Sequence, residues 1–323
     1  MTAVSALQPP PPESAWAVEE VAPGAWFVQR DWRSANHFVA LAPRVTLIDT
    51  AYGPDMGATT EALAALSVHP ADIRLIVNTH SHCDHVGGNA HLVGQSGAEV
   101  WMHHFEKARM DRHDTIATWW RFHDTWADRF AVDHGLADGD EIPFGPLRLH
   151  VVHAPGHAAG QIMLHDRKHR ILFSADALWQ GDMGVINTIV EGNEALELAV
   201  DTLRRIATLD IDKVYPGHGP AMGSPKSAID RVSRKLLHFS KHPQEMHYDH
   251  ICKMLAYIVL SKGGVAEASF FLYLMATVWF PRLVDAYFDG AYQAAYYETM
   301  VRLSRKGMLV RSGGNLFGVE RKR

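Results

Sequence analysis

The sequence is short of cysteine, of long apolar runs and of positive charge. Its 323 residues include only two cysteines, Cys83 and Cys252, which excludes a disulfide framework. The longest apolar stretch, residues 265–280, contains Glu267 and has 16 residues, fewer than the ~20 needed to cross a bilayer. A net charge of −5 at pH 7 argues against a general attraction to nucleic acid or anionic membranes.

The beginning of the chain carries no recognisable targeting signal. Residues 1–12 lack the basic head and apolar core of a secretory signal, and the run Pro9–Pro12 predicts an extended tail over residues 1–15. We therefore expect a cytoplasmic protein without a membrane partner. At about 150 residues per domain, the length predicts roughly two domains.

Short apolar runs bounded by turn residues predict strands in the first 240 residues. These runs are 25–29, 37–41, 45–48, 74–77, 99–102, 147–152, 161–164, 170–173 and 213–215. Helices predicted over 55–66 and 194–208 interrupt the series. The mixed order predicts an α/β domain over residues 16–240, in which helices cover sheets.

An aromatic segment, about residues 105–135, interrupts this domain. Trp119, Phe122, Trp126 and Phe130 are spaced as one face of a helix, so we predict a helical insertion. Its aromatic face is predicted to line an apolar substrate pocket, with helix packing and a dimer face as the alternatives.

After residue 240 the strand pattern disappears until the end of the chain. A helix over 291–305, followed by short strands over 307–311 and 315–319, is typical of a winged-helix-like domain. We predict such a domain over residues 241–323, which would close the pocket or form a homodimer. Its 11 Lys and Arg against seven Asp and Glu give a net charge of +4, which leaves a weak polyanion contact as an alternative.

The metal-ligating side chains are concentrated in His80-Ser81-His82-Cys83-Asp84-His85, directly after a predicted strand. Three histidines and an aspartate in six residues are difficult to satisfy in an apolar core, but on a tight loop they can converge on a cation. The following Gly87 and Gly88 allow the backbone to bend sharply.

Three further ligand-type side chains each follow a predicted strand at a turn: His157, Asp176 and His218. Functional groups are often placed on loops at one edge of a rigid sheet. Imidazole and carboxylate ligands suit Zn, Fe, Mn or Ni. The pattern therefore predicts a metal site assembled from four segments.

With these residues in this order, the sequence resembles the metallo-β-lactamase superfamily over about residues 20–225. The resemblance implies an αββα sandwich and two divalent metal ions, with zinc favoured and iron or manganese as alternatives. It implies that His80, His82 and His157 hold the first metal. Asp84, His85 and His218 hold the second, and Asp176 bridges the two.

The resemblance also implies the chemistry. Paired cations about 3.5–4 Å apart lower the pKa of a bound water toward ~7 and polarise the bond to be hydrolysed. Asp84 is the candidate catalytic residue, because its carboxylate can take up the proton of the attacking hydroxide. Asp49, which ends a predicted strand, is expected to brace the metal loop by hydrogen bonds.

Departures from branches of the superfamily narrow the reaction. His85 and the absence of a cysteine ligand argue against an antibiotic β-lactamase, and Cys83 occupies a non-ligand position. Trp179 stands where the lactonase branch has a tyrosine, which weakens a lactonase interpretation and makes Trp179 a candidate pocket residue. His82 argues against the flavo-diiron branch.

The leading hypothesis is a dinuclear metal-dependent hydrolase of a small ester-like substrate, with a thioester as first choice. The segment Ala154–Gln161 resembles that of glyoxalase II. Lactones, carboxylic esters and phosphoesters are the alternative substrates. A ribonuclease of the winged-helix-bearing branch and an iron-dependent persulfide oxygenase are the alternative enzymes.

Overall fold

The computed structural model describes residues 16–319. Its strands are β1 (Trp16–Ala22), β2 (Ala25–Arg30), β3 (His37–Ala40), β4 (Val45–Ile48), β5 (Ile73–Val77), β6 (Glu99–His103), β7 (His134–Leu136), β8 (Glu141–Phe144), β9 (Leu147–His153), β10 (Ile162–Asp166), β11 (Ile171–Ala175), β12 (Lys213–Pro216), β13 (Val265–Ala266), β14 (Leu309–Ser312) and β15 (Asn315–Gly318). The predicted tail over residues 1–15 lies outside the described residues.

The helices are α1 (Met56–Ala65), α2 (Cys83–Val86), α3 (Asn89–Ser96), α4 (His104–Asp111), α5 (Thr188–Glu191), α6 (Ala195–Thr208), α7 (Lys226–Lys241), α8 (Pro243–Ser261), α9 (Glu267–Ala276), α10 (Trp279–Tyr287) and α11 (Tyr292–Arg305). Among residues 16–319, none of these helices is both long and apolar enough to cross a membrane.

The strands form two main sheets. The first has seven strands in the order β1 to β7, with antiparallel pairing up to β4 and parallel pairing from β4 onward. The second has the order β12-β11-β10-β9-β8, and only the pair β11–β12 is parallel. Strand β1 was not predicted, because Glu19 and Glu20 interrupt its apolar residues.

The two sheets pack face to face. Phe38 of β3 stacks on Phe173 of β11 with ring centroids 3.9 Å apart, and Phe27 and Tyr215 pack in the same layer. Helices α1 and α3 cover the outer face of the first sheet, and α6 and α7 cover the second. The predicted αββα sandwich is therefore confirmed.

The predicted helical insertion is wrong beyond α4. From residue 112 to residue 133 the chain forms turns and irregular segments, with left-handed backbone at His113, Trp119 and Asp124. The side chains of the predicted stripe go to different places: Phe122 packs with the C-terminal helices, Phe130 packs against the first-sheet cluster, and Trp126 is exposed. One face of a regular helix would keep these side chains together, so tertiary packing overrides the periodic pattern.

The C-terminal region contains the predicted helix and hairpin. Helix α11 is followed by β14 and β15, which pair around Gly313 and Gly314 and are joined by β13. The apolar stretch 265–280 is divided between β13, α9 and the start of α10, where Trp279 and Phe280 are fully buried. The domain boundary near residue 240, the winged-helix assignment and the homodimer remain predictions.

Candidate metal centre

The candidate ligands all follow the C-terminal ends of strands. Strand β5 ends at Val77, and the next residues lead through His80 and His82 into the short helix α2. Strand β9 precedes His157, β11 ends immediately before Asp176, and β12 precedes His218. The two sheets therefore contribute donors to one edge of the sandwich.

The structure brings all seven predicted donors together. Three groups of donor atoms lie within 4.8 Å of one another: His80, His82 and His157; His80, His85 and Asp176; and Asp84, His85 and His218. No cysteine belongs to these groups. Cys83 is buried, its Sγ lies 3.9 Å from the hydroxyl of Tyr257, and burial raises the pKa of its thiol to about 12.

The donor set fits a metal. Within the cluster, and counting partners among residues 16–319, the Nε2 atoms of four buried histidines make no hydrogen bond: those of His80, His82, His85 and His157. Buried polar atoms are normally hydrogen-bonded, so four such atoms facing one centre call for a common partner. A cation supplies that partner without needing a proton.

Electrostatics favours the neutral, ligand form of three imidazoles. Burial, together with the neighbouring histidines, lowers the pKa of His80 and His82 well below the ordinary value. Burial also lowers the pKa of His157. Neutral imidazole is the form that binds a divalent ion.

The two aspartates are held as carboxylates. Burial alone would raise the pKa of Asp176, but His218 and His85 hold it far below its ordinary value. In the same way, a hydrogen bond from His218, whose Nε2 lies 3.1 Å from Oδ2, lowers the pKa of Asp84. At neutral pH the centre therefore presents two anionic donors.

Asp176 faces both halves of the cluster. Its Oδ1 lies 3.4 Å from Nε2 of His85 and 3.9 Å from Nε2 of His218. Its Oδ2 lies 3.3 Å from Nε2 of His157. The two oxygens thus point to different groups of histidines, as a bridging carboxylate would.

Outer hydrogen bonds fix the ring orientations. Asp49 accepts from the backbone N–H and hydroxyl of Thr79, each over 2.8 Å, and its Oδ2 lies 2.8 Å from Nδ1 of His85. His157 donates from Nδ1 to the carbonyl of Val185 over 2.7 Å. Such contacts direct the opposite nitrogen, Nε2, toward the centre.

Two predicted pocket residues lie beside the cluster and one does not. The Trp119 ring lies 4.0 Å from that of His82 and 5.1 Å from that of His157, measured between centroids. Trp179 donates from its indole nitrogen to Oδ1 of Asp176 over 3.2 Å. Trp126 is 60% exposed, so it lies at the surface.

Sequence reasoning missed other aromatic neighbours. The ring of Trp32 lies parallel to that of His218 with centroids 5.9 Å apart, and 5.6 Å from that of Trp179. Trp120 donates from its indole nitrogen to the carbonyl of Ser81, within the metal loop, over 2.8 Å. Neither position has a periodic or motif signal, because both contacts join distant parts of the chain.

Comparison with known proteins agrees with this geometry. The family model for the metallo-beta-lactamase superfamily matches residues 38–218, more than half of the chain. Acyl-coenzyme A thioesterase MBLAC2 of Gallus gallus is 31% identical over 227 residues, covering 62% of this chain and 79% of that protein. Hydroxyacylglutathione hydrolase of Aeromonas salmonicida (strain A449) is 34% identical over 167 residues, covering 51% of this chain. The match spans 54% of that relative, about half its length.

Solved structures share the fold. A metallo-beta-lactamase family protein from Thermus thermophilus has a TM-score of 0.59 at 20% identity, covering 93% of this chain and all of that one. The metallo-beta-lactamase GOB-18 from Elizabethkingia meningoseptica has a TM-score of 0.54 at 16% identity, covering 75% of this chain and 99% of that one.

The chain therefore belongs to the metallo-beta-lactamase superfamily. Family and donor set together define a metal-dependent hydrolase.

Proposed function

We propose that this hydrolase cleaves thioesters at a centre of two divalent metal ions, with zinc as the favoured metal. The observation that carries the proposal is the position of Trp119, whose ring packs against His82 and His157. This indole places an apolar wall next to the donors, where the acyl group of a substrate would lie. The relatives named acyl-coenzyme A thioesterase and hydroxyacylglutathione hydrolase support the same substrate class.

We assign the metal ligands from the three groups of donors. His80, His82 and His157 would hold the first ion, and Asp84, His85 and His218 would hold the second. Asp176 would contact both, which agrees with the different directions of its two oxygens. When bound, the ions lower the pKa of a coordinated water and polarise the substrate carbonyl.

The residues of the chain direct this chemistry. Asp84 has the one partly exposed carboxylate of the donor set, with 17% of its side chain accessible, so it can take up a proton on the open side of the centre. Trp119 and Trp179 cover the donors with apolar rings and exclude water from them. Asp49 keeps His85 oriented.

The first experiment measures thiol release from a panel of acyl-coenzyme A and acylglutathione thioesters. We expect turnover by the metal-replete protein, loss of turnover after chelation, and recovery when zinc is restored. Asp84→Ala should abolish turnover, whereas Asp128→Ala, at an exposed aspartate, should retain it. Absence of thiol release from protein shown to hold two metal equivalents would disprove the thioesterase.

The pocket assignment has its own test. Trp119→Ala should raise KM for long acyl chains by about tenfold, the order expected for losing one buried aromatic contact. Trp126→Ala removes the same side chain from the surface and serves as the matched control. Equal KM values for the two variants would remove Trp119 from the pocket.

Lactones, carboxylic esters and phosphoesters belong in the same assay, since all are substrates that a dinuclear centre can hydrolyse. A higher kcat/KM for one of these classes would replace the thioester assignment and leave the metal assignment in place.

A further inference from the structure

A buried ion cluster lies behind the metal loop. Arg109 of α4 makes a two-pronged ion pair with Glu191, with Nη1–Oε1 and Nη2–Oε2 distances of 3.1 and 2.9 Å. Its Nη1 also lies 3.4 Å from Oε1 of Glu106. The three side chains, here called the Arg109 cluster, are 12%, 2% and 0% exposed for Arg109, Glu191 and Glu106.

Glu106 joins the two loops that carry the first-metal donors. Its Oε2 accepts a hydrogen bond from the hydroxyl of Ser81, which lies between His80 and His82. Its Oε1 accepts from the backbone N–H of Gly160, in the loop after His157, over 2.9 Å. A Cβ at Gly160 would lie 2.7 Å from Cγ of Glu106, so only glycine permits this approach.

Glu191 joins the same loop to the pocket wall. Its Oε1 accepts from the indole nitrogen of Trp119 over 2.7 Å, and its Oε2 accepts from the backbone N–H of Ala159 over 2.8 Å. Trp119 is the ring that packs on His82 and His157. The groups that donate hydrogen bonds to the two glutamates therefore come from the segments that build the first-metal group and its apolar cover.

A cluster of this kind requires an explanation beyond stability. Buried ion pairs are often no more stabilising than packed apolar side chains, because each charge loses its hydration. Directional hydrogen bonds to carboxylates, however, fix distances and angles that apolar packing leaves free. Here the fixed groups are the loops bearing His82 and His157 and the indole of Trp119.

We propose that Arg109, Glu106 and Glu191 are positioning residues that hold the first-metal group and the Trp119 wall as one rigid unit. Arg109 orients both carboxylates, Glu106 sets the spacing between the two ligand loops, and Glu191 sets the angle of the indole over the donors. The inference rests on the proposed metal ligands. Only its kinetic readout rests on the proposed thioesterase.

The first test follows metal release, which needs no substrate. Glu191→Gln keeps the shape of the side chain but turns an amide N–H₂ toward groups that are themselves hydrogen-bond donors. We expect one zinc equivalent to leave at a 10- to 100-fold lower concentration of a chromophoric chelator, as for other outer-sphere substitutions. Glu141→Gln, in the exposed ion pair with Arg148, is the matched control and should release zinc as the unsubstituted protein does.

A milder variant covers the case in which Glu191→Gln fails to fold. Trp119→Phe keeps an aromatic ring but deletes the hydrogen bond to Glu191. We expect it to retain two zinc equivalents and to raise KM for long acyl thioesters several-fold while kcat changes little. Arg109→Lys retains the charge but loses the two-pronged contact of the guanidinium with Glu191. We expect this variant to release one zinc equivalent at a lower chelator concentration than the unsubstituted protein.

These outcomes separate a positioning role from a purely structural one. The proposal would be overturned if Glu191→Gln and Arg109→Lys both release zinc as the unsubstituted protein does and differ from it only by a lower melting temperature. Equal KM values for Trp119→Phe and the unsubstituted protein would also overturn it. If the chain cleaves no thioester, the zinc titration still decides the role of the cluster.

Discussion

His85 lies with its Nδ1 2.8 Å from Oδ2 of Asp49, and both side chains are almost fully buried. Burial alone would lower the pKa of His85, but the carboxylates of Asp49 and Asp176 raise it well above its ordinary value. Asp49 thus supplies negative charge on one side of the ring while the other nitrogen faces the cluster. The same interaction makes the imidazole a stronger donor to a cation.

Asp49→Asn should weaken metal binding. The amide keeps the volume but removes the negative charge beside His85. It also has only one oxygen, so it cannot accept all the hydrogen bonds that the two carboxylate oxygens of Asp49 accept from Thr79 and the imidazole. We expect a 10- to 100-fold loss of zinc affinity, measured by chelator competition. The exposed Asp128→Asn is the control, and equal zinc affinities for the two variants would contradict the prediction.

Gly217→Ala should displace the carboxylate of Asp176. A Cβ at this position would lie 2.3 Å from Oδ1 of Asp176 and 2.9 Å from the backbone of Ala175, so the loop must move. We expect loss of one or both metal equivalents and of activity, by elemental analysis and assay. Gly223→Ala meets nothing within 4 Å and should keep both metals.

Lys253→Met should destabilise the protein. Lys253 Nζ lies 3.1 Å from both Asp182 and Asp249, and Lys235 pairs with the same two aspartates. Removing one cation leaves partly buried negative charge without a partner, which costs about 2 kcal/mol. Denaturant unfolding measures the loss, with the exposed Lys168→Met as the control.

The Lys253 substitution also has a local consequence. The ammonium lies 5.3 Å from the centre of the Trp179 ring, whose indole nitrogen contacts Asp176. A shift in Trp179 fluorescence should accompany the loss of stability. Loss of stability no greater than that of Lys168→Met would contradict the prediction, because Lys235 and solvent would then suffice to stabilise both aspartates.

His250 should make stability depend on pH below neutrality. Its Nε2 lies 2.8 Å from that of His123, and burial lowers the pKa of His250 to about 3. Between pH 6.5 and pH 3 the unfolded chain binds a proton at this position and the folded chain does not. As the pH is lowered through this range, the free energy of unfolding therefore decreases. This group contributes up to about 1.4 kcal/mol per pH unit.

The variant His250→Gln tests this pH-dependent contribution of His250 to stability, since the amide can still hydrogen-bond to His123. Between pH 7 and pH 5, we expect the unsubstituted protein to lose about 2 kcal/mol more free energy of unfolding than the variant. Guanidinium unfolding at both pH values measures it. Parallel pH profiles for the two proteins would refute this contribution.

The sequence predicts the strands and the candidate donors because both depend on local signals, whereas the αββα layering is what the resemblance implies. Apolar runs ended by turn residues mark strands such as β5 and β12, and histidines directly after them mark the ligand loops. The resemblance to a family then supplies the spatial grouping, which no local pattern contains. The structure brings the seven side chains together in three overlapping groups of donor atoms.

The surroundings of the centre could not be predicted in the same way. Trp32 reaches His218 because Asn36 donates to the carbonyls of Pro216 and Gly219, 180 and 183 residues away. Arg109 and Glu191 are 82 residues apart and carry no motif. The stripe containing Trp126 had helical spacing, but its residues belong to separate packing clusters, and spacing alone does not show this.

The division of the donors between two sheets has a consequence for how the protein folds. The segment from His80 to His85 follows a strand of the first sheet, whereas His157, Asp176 and His218 follow strands of the second. Neither sheet alone carries a complete set, so a nascent chain gains its full metal affinity only after residue 218 has emerged and the sheets have docked. Contacts of such long sequence separation form slowly. Metal ions held by these donors would therefore act as late cross-links between the two sheets, and the folded fraction would rise with free metal concentration.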